Sequence, residues 1–458
     1  MRFGMFIAPF HPPEGNPTLQ LRRDLELAAR ADNLGFDEVW FGEHHSAGFE
    51  TIGSPELMIA AAGERTKRIM LGTGVNSVSY HNPLILADRI VQLDHMTAGR
   101  VMMGIGPGQL PSDAFMLGID PTRQRDMMAQ AIEALVPLVR GETVTMKTDW
   151  FDLHEARVQL TPFSRHGIEL AVASVFSPAG VTLAGRHGLS VLSVAASDLR
   201  ARGQLADNWA VHERAAAEHE QMPRRDRWRV VGMMHLAESR EQARREVEWG
   251  ILRSTAYFEG LTGQKMPWRS SPQNAADQWT SEGLPSWGVG VVGTPDDAIA
   301  AIERLQEQTE GFGTYLLNVH DCASWAATQR SYELFAEYVI PHFTRSNRNR
   351  EDSRDWAHQN SERFIGRMTQ AITEATHKYT APGAMQGTGR VTNSRTPPRI
   401  GAVARKGGAE RRSTNWGVPD HDVLLRPGPL GPCGCRGGGG AAGPGARPPQ
   451  KDQPNPAE

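Results

Sequence analysis

Short apolar runs alternate along the chain with longer segments whose apolar residues recur every three or four positions. The runs are Phe3–Ala8, Glu38–Phe41, Ile69–Gly74, Val101–Gly106, Ile168–Ala173, Leu189–Val194, Arg229–Leu236 and Tyr315–Val319. Each is brief and bounded by turn formers, as buried strands are. Between them, Leu21, Leu25, Ala28 and Ala29 recur at helical spacing until Gly35 ends the segment. Ser54-Pro55, Asn82-Pro83, Ser177-Pro178 and Thr294-Pro295 each pair an N-cap residue with a proline at the first helical position. Further helices are predicted over Arg123–Arg140, Leu199–His219, Glu241–Phe258 and Trp325–Tyr338, and a β-hairpin insertion over Trp150–Leu160. Strands that alternate with helices imply right-handed crossovers and a parallel sheet. Eight such units predict an α/β fold of the closed (β/α)8, or TIM-barrel, type.

Two stretches break the rhythm. Gly260–Gly290 is rich in Ser, Pro, Gly and Trp without periodicity. So long an irregular stretch inside a compact domain reads as an active-site lid or as disorder. Past Phe343, Trp356–Tyr379 has the spacing of one extra amphipathic helix within 344–379. From Thr380 to Glu458 the chain is Gly-, Pro- and Arg-rich and holds too few large apolar residues for a core. This tail is expected to be disordered, either an unrelated extension or a translation of the wrong frame. The organisation expected is a barrel over 1–343, an added helix over 344–379 and a low-complexity tail over 380–458.

Bulk properties narrow the function classes. A net charge of −3 over 458 residues gives no electrostatic reason to expect nucleic acid or an anionic membrane as partner. Hydrophobic content is 39 %, and the shortfall lies mostly in the last hundred or so residues. Of three cysteines, Cys433 and Cys435 lie in the tail, which leaves Cys322 without a disulfide partner in the folded part. That, with no leader-like segment and no long apolar span, sets the expectation of a cytoplasmic protein.

In a barrel of this type reacting groups sit where strands end, at the C-terminal face. The second strand ends in Gly42-Glu43-His44-His45. Neighbours on an extended chain point to opposite sides, so at most one of the two histidines faces the mouth and a shared metal is not expected. At this level two readings stand open: hydrogen-bonded structural histidines, or an imidazole that holds or moves a proton. Gly104, Gly106 and Gly108 follow the fourth strand without dinucleotide-motif spacing, and serve either a close approach by something flat or plain turn geometry. Ser174, Val175, Phe176 and Ser177 precede a helix N-terminus, which is a phosphate site or an ordinary cap.

The pieces Arg2–Phe6, Leu34–Trp40, Glu43-His44-His45, Leu71–Gly74, Leu93–Arg100 and Val292–Pro295, in this order and spacing, resemble the luciferase-like flavin monooxygenases. The resemblance covers roughly residues 1–343. Ala8–Pro12, Gly42–Gly48 and Gly106–Asp113 carry a likeness to the members that epoxidise monoterpenes such as limonene.

The resemblance implies a bacterial-luciferase type of barrel with a mobile lid at Gly260–Gly290. It implies reduced FMN or FAD at the barrel mouth, reacting with O2 to a C4a-hydroperoxide that oxygenates a small apolar substrate. His44 matches the family's catalytic histidine. Gly74-Val75 match a non-proline cis peptide beneath the flavin ring, with Asn76 and Gly106 beside it, and Ser174–Ser177 match a phosphate-binding loop. Phe10, Phe49, Met102, Met103 and Met234 are candidates for the apolar substrate walls, or are ordinary barrel core. Luciferases carry a reactive cysteine at the position of Gly106 and an arginine at that of Pro107, so light emission is not expected. Nothing resembles a built-in NADH domain. A separate flavin reductase is therefore expected to pass on electrons from NAD(P)H, and a homodimer is expected. A deazaflavin F420-dependent reductase or dehydrogenase and a non-catalytic flavin binder are the alternatives.

Overall fold

The computed structural model of the chain describes residues 1–8, 10–175, 177–194, 202–263, 276 and 290–380. The tail from 381 and most of Gly260–Gly290 lie outside the described residues. Eight strands close into a barrel: β1 (Arg2–Ile7), β2 (Glu38–Phe41), β3 (Met70–Ser77), β4 (Val101–Gly106), β7 (Glu169–Ser174), β8 (Ser190–Val194), β9 (Arg229–Gly232) and β12 (Thr314–Val319). Every neighbouring pair is parallel, and β1 closes the ring on β12 with Arg2 opposite Thr314 and Ile7 opposite Val319.

Helices α1 (Pro17–Leu34), α2 (Pro55–Gly63), α3 (Pro83–Met96), α4 (Pro111–Met116), α5 (Gln124–Val139), α6 (Ala179–His187), α7 (Arg202–Glu218), α8 (Arg240–Thr262), α9 (Pro295–Thr309) and α10 (Trp325–Leu334) follow the strands. The Asn16 and Asn82 side chains cap α1 and α3, and Thr294 with Asp297 forms a capping box at α9. Among the described residues no helix is long and apolar enough to cross a membrane. Met1–Ile372 forms one compact unit; of a second, Thr373–Glu458, only the helical residues 373–380 are described.

Several elements differ from the pattern reading: α6 starts at Ala179 with Pro178, not Ser177, as its N-cap, and Ser54 precedes α2 without a side-chain cap bond. The run Arg229–Leu236 is two strands: β9 stays in the barrel, while β10 (Met234–Leu236) pairs outside it with β11 (Val291–Gly293). An uninterrupted apolar run carries no mark of where a strand changes partner. The hairpin is β5 (Val144–Lys147) with β6 (Asp152–Ala156), so Trp150 lies in its turn. The Thr148 hydroxyl accepts from the Trp150 and Phe151 amides and closes that turn. The added helix is two, Arg348–Gln359 and Ser361–Thr380, divided at Asn360, whose side-chain amide donates back to the Trp356 carbonyl.

Alternation along the strands sorts residues into two layers. Phe3, Met5, Ile7, Val39, Phe41, Leu71, Met103 and Ile105 belong to the core that packs against the helices, whereas Phe6, Trp40, Met102, Ala171, Leu192, Val231 and Leu316 form a separate inner cluster. Trp40 requires glycine at position 72 beside it, because a Cβ there would stand 2.4 Å from the indole ring.

A charged layer fills the N-terminal end of the barrel. Arg229, fully buried, donates from Nε to Glu38 Oε2 at 2.6 Å, from Nη2 to Glu38 Oε1 at 3.0 Å and from Nη1 to Glu169 Oε1 at 2.7 Å. Trp40 Nε1 and Arg2 reach the same Glu38 carboxylate, and the Ser190 hydroxyl donates to Glu169. Burial pulls the Arg229 pKa down, but Glu38 and Glu169 outweigh it and leave the guanidinium held more firmly than usual. Arg229→Ala strands two carboxylates in the barrel. It should destabilise the protein by about 3–5 kcal/mol, read as a lowered urea midpoint at unchanged slope. A loss below about 1 kcal/mol, the size of an ordinary surface effect, would show that the layer is not structural.

Candidate active site

The C-terminal strand ends enclose a cavity of about 410 Å3. Gly42, Glu43 and His44 after β2, Gly74, Val75 and Ser77 of β3, Gly106 of β4, and Ser174, Val175 and Ser177 after β7 all line it. The Gly74–Val75 peptide is cis, and the pairing of β3 with β4 shifts register between Thr73 and Asn76. Asn76 does not line the cavity; it is fully buried opposite Ile105 of the outer core. Phe176 lies outside the described residues. The glycines of β4 have a packing role that the sequence does not show. A Cβ at Gly104 would stand 2.2 Å from the Thr73 carbonyl oxygen, and one at Gly106 would stand 2.5 Å from Val75 Cγ2, so both let β4 close on β3.

His44 separates from His45 as the extended chain requires. Its Nε2 lies 2.7 Å from Glu50 Oε2 and its Nδ1 lies 3.4 Å from Asp113 Oδ2. Glu50 and Asp113 are themselves buried, at 5 % and 1 % exposure. Burial alone would lower the His44 pKa; the two carboxylates outweigh it and push it up to about 10. His45 turns to Glu43 at 3.3 Å, and Glu43 also receives His81 Nε2 at 2.6 Å and the Ser77 amide at 2.6 Å. These donors outweigh burial and hold the Glu43 carboxyl below its usual range.

The proposed substrate walls divide. Phe49 stacks on Tyr257 of α8 with ring centroids 4.1 Å apart, and Phe10 meets the same ring edge-on at 6.3 Å; both belong to the inner cluster but do not line the cavity. Met102 lies deep in the barrel, with its sulfur 3.4 Å from Arg229 Nη2. Met103 does not reach the cavity: strand alternation turns it into the helix-facing core. Met234 follows β10 out of the barrel and lines a different cavity of about 370 Å3, beside Val291 and Tyr315. Phe6, Ala8, Val194 and Met128 supply apolar wall in their place.

Three charged residues of the site are not among the sequence candidates, although Asp113 ends the stretch Gly106–Asp113 that carries the family likeness. Glu50 and Asp113 come from loop and short-helix segments, and Arg125 from the first turn of α5. Arg125 reaches the cavity that Ser174 and Ser177 line and has no ion pair among the described residues. Among the described residues no group of three or more His, Cys, Asp or Glu is placed to hold a metal ion.

Residues 1–309 match the family described as luciferase-like monooxygenase. The chain belongs to that family. It is a flavin-dependent monooxygenase of this kind. It is 42 % identical over 379 residues to limonene 1,2-monooxygenase of Rhodococcus erythropolis, across 82 % of this chain and 95 % of that one. It is 44 % identical over 352 residues to 4-hydroxyprotoasukamycin monooxygenase of Streptomyces nodosus subsp. asukaensis, across 75 % and 92 %. Among solved structures, monooxygenase RslO1 from Streptomyces bottropensis superposes with a TM-score of 0.66 at 25 % identity, across 75 % of this chain and all of that one. The oxygenating constituent of 3,6-diketocamphane monooxygenase from Pseudomonas putida, a complex with FMN, gives 0.62 at 25 % identity, across 74 % and 98 %.

Asp113 accepts from the His45 amide at 3.2 Å and from the Ser46 hydroxyl. Asp113→Ala leaves the His45 amide without its acceptor, while the Ser46 hydroxyl keeps Ser112 Oγ at 2.6 Å. It is expected to cost about 1–3 kcal/mol, seen as a lower melting temperature. An unchanged melting curve would show that water replaces the carboxylate without loss.

Proposed function

We propose that this cavity holds a reduced flavin and that the protein uses it, with O2, to oxygenate a small apolar substrate, of which a monoterpene alkene such as limonene is the first choice. One observation carries the flavin reading: His44, the Gly74–Val75 strand end and the Ser174–Ser177 loop border a single space. The donor set suits the cofactor. Phe6, Val75, Val175 and Val194 offer apolar wall for a flat ring, while two serine hydroxyls, the start of α6 and Arg125 offer donors to a phosphate. The substrate choice is supported by the similarity to limonene 1,2-monooxygenase over nearly the whole of that protein.

Reduced flavin, when bound, supplies the electrons that activate O2, so that one oxygen atom enters the substrate and the other leaves as water. His44 stands at the cavity wall, where its imidazole, flanked by Glu50 and Asp113, can hold a proton for the site. The apolar side chains of the cavity wall exclude the water that would divert oxygen to H2O2; the lid expected over Gly260–Gly290 lies for the most part outside the described residues. A separate reductase drawing on NAD(P)H delivers the reduced cofactor, two copies of the chain form a dimer, and the protein works in the cytoplasm.

Incubation with reduced FMN or FAD, 18O2 and a terpene panel should give a product carrying one labelled oxygen by mass spectrometry. Substrate-linked absorbance change with F420 and no O2 uptake would instead indicate a dehydrogenase, and flavin binding with neither would indicate a binder. Arg125→Ala should weaken FMN about tenfold or more, the value of one charge-assisted contact, and leave riboflavin unchanged. Equal losses for both ligands would place the phosphate elsewhere.

A further inference from the structure

We propose that Glu50 is a positioning residue that, together with Asp113, keeps His44 as an imidazolium, so that His44 serves the site as a proton donor and not as a base. The inference rests on reading the cavity as the flavin site. Its own ground is the stoichiometry of the ring. A neutral imidazole carries one N–H and one lone pair, whereas an imidazolium carries two N–H groups. His44 has a carboxylate oxygen at each nitrogen, Glu50 Oε2 at Nε2 and Asp113 Oδ2 at Nδ1. With a neutral ring, one buried carboxylate would face a nitrogen lone pair. Asp113 is committed as an acceptor by the His45 amide and the Ser46 hydroxyl. Glu50 Oε2 lies at ion-pair distance from His44 Nε2, out of line for a hydrogen bond, and has no other donor among the described residues, so the charge of the His44 ring is what balances it.

The segment carrying Glu50 is pinned in place. Phe10 and Glu50 form a β-bridge, the His11 amide donates to the Phe49 carbonyl at 3.0 Å, and the His44 amide donates to the Ile52 carbonyl at 3.0 Å. The other titratable groups around His44 do not supply a competing charge balance. Glu43 is engaged by His45 and His81; burial pushes the Tyr257 and Tyr80 hydroxyls up, which keeps both neutral. Arg125 lines the same cavity as the exposed cation. Two carboxylates around one imidazolium leave a net charge of about −1, which one protonated histidine reduces but does not cancel.

The test is a 15N-histidine NMR titration of the flavin-free full chain, with the His44 signals assigned by their loss in His44→Gln. In the wild type both His44 nitrogens should stay protonated through neutral pH. In Glu50→Gln the midpoint should fall by about one to three pH units, the usual effect of one opposite charge at this range. Glu50→Asp keeps the charge and should retain most of the wild-type midpoint; it also serves if the glutamine variant melts early. In parallel, product formed per flavin oxidised should lose its alkaline limb at lower pH in Glu50→Gln than in the wild type. The sign follows from the charge: removing a carboxylate makes the ring release its proton sooner as pH rises.

An unmoved His44 midpoint in Glu50→Gln overturns the proposal whatever the activity. A midpoint that falls while the pH profile of product stays put overturns the donor role. Absence of product from the wild type with every substrate tried would fail the functional reading alone, since the titration needs no flavin.

Discussion

Arg229 and Glu38 meet across the closed end of the barrel, and the rest of the fold depends on that pairing. A guanidinium in a dry interior is tolerable only where its N–H groups are met, and here Glu38 takes it bidentately while Glu169 takes a third contact. The three residues stand at the first positions of β9, β2 and β7, so the network ties distant parts of the ring at one level. Trp40 lies 5.0 Å over the same guanidinium, and Gly72 makes room for its indole. A strand slipped by one residue would turn its charged residue out of the barrel and leave its partners unpaired.

With the base closed by charge, the opposite end can stay open. The strand ends there carry glycines, hydroxyls and a cis peptide where the base carries bulky and charged groups. Buried charge recurs at the mouth, but with a different balance. At the base one cation is held by two carboxylates and further donors. At the mouth His44 stands between Glu50 and Asp113, and among the described residues only Asp113 is bonded to further donors. The first arrangement suits permanence, the second suits a proton that has to be held and released.

The apolar lining shows how little a residue's character decides without its direction. Met102 and Met103 are neighbours of the same type; one enters the barrel and the other packs under the helices. Met234 sits only two residues past Gly232 of the barrel, yet it leaves with β10 for an outer cavity. Phe10 and Phe49 are drawn together by Tyr257 of α8, a residue more than two hundred positions away in the chain.

What the sequence determined by itself was the barrel, the helix starts capped at Asn82 and Thr294, and the family order that points at His44, Gly74-Val75 and Ser174–Ser177. The first two rest on local physics: periodicity, cap chemistry and proline position act within one turn or one strand, so they are written in consecutive residues; the third rests on resemblance to a known family. The partners of His44 were decided only by tertiary structure. Glu50 and Asp113 lie in irregular and short segments with no periodic signal, and their charges matter because folding buries them within reach of one ring. The same holds for Arg229, the first residue of a predicted strand, which the closed barrel places between two glutamates. Electrostatics acts between groups that folding brings together, and that is why the charge state of the site is a property of the fold and not of the motif.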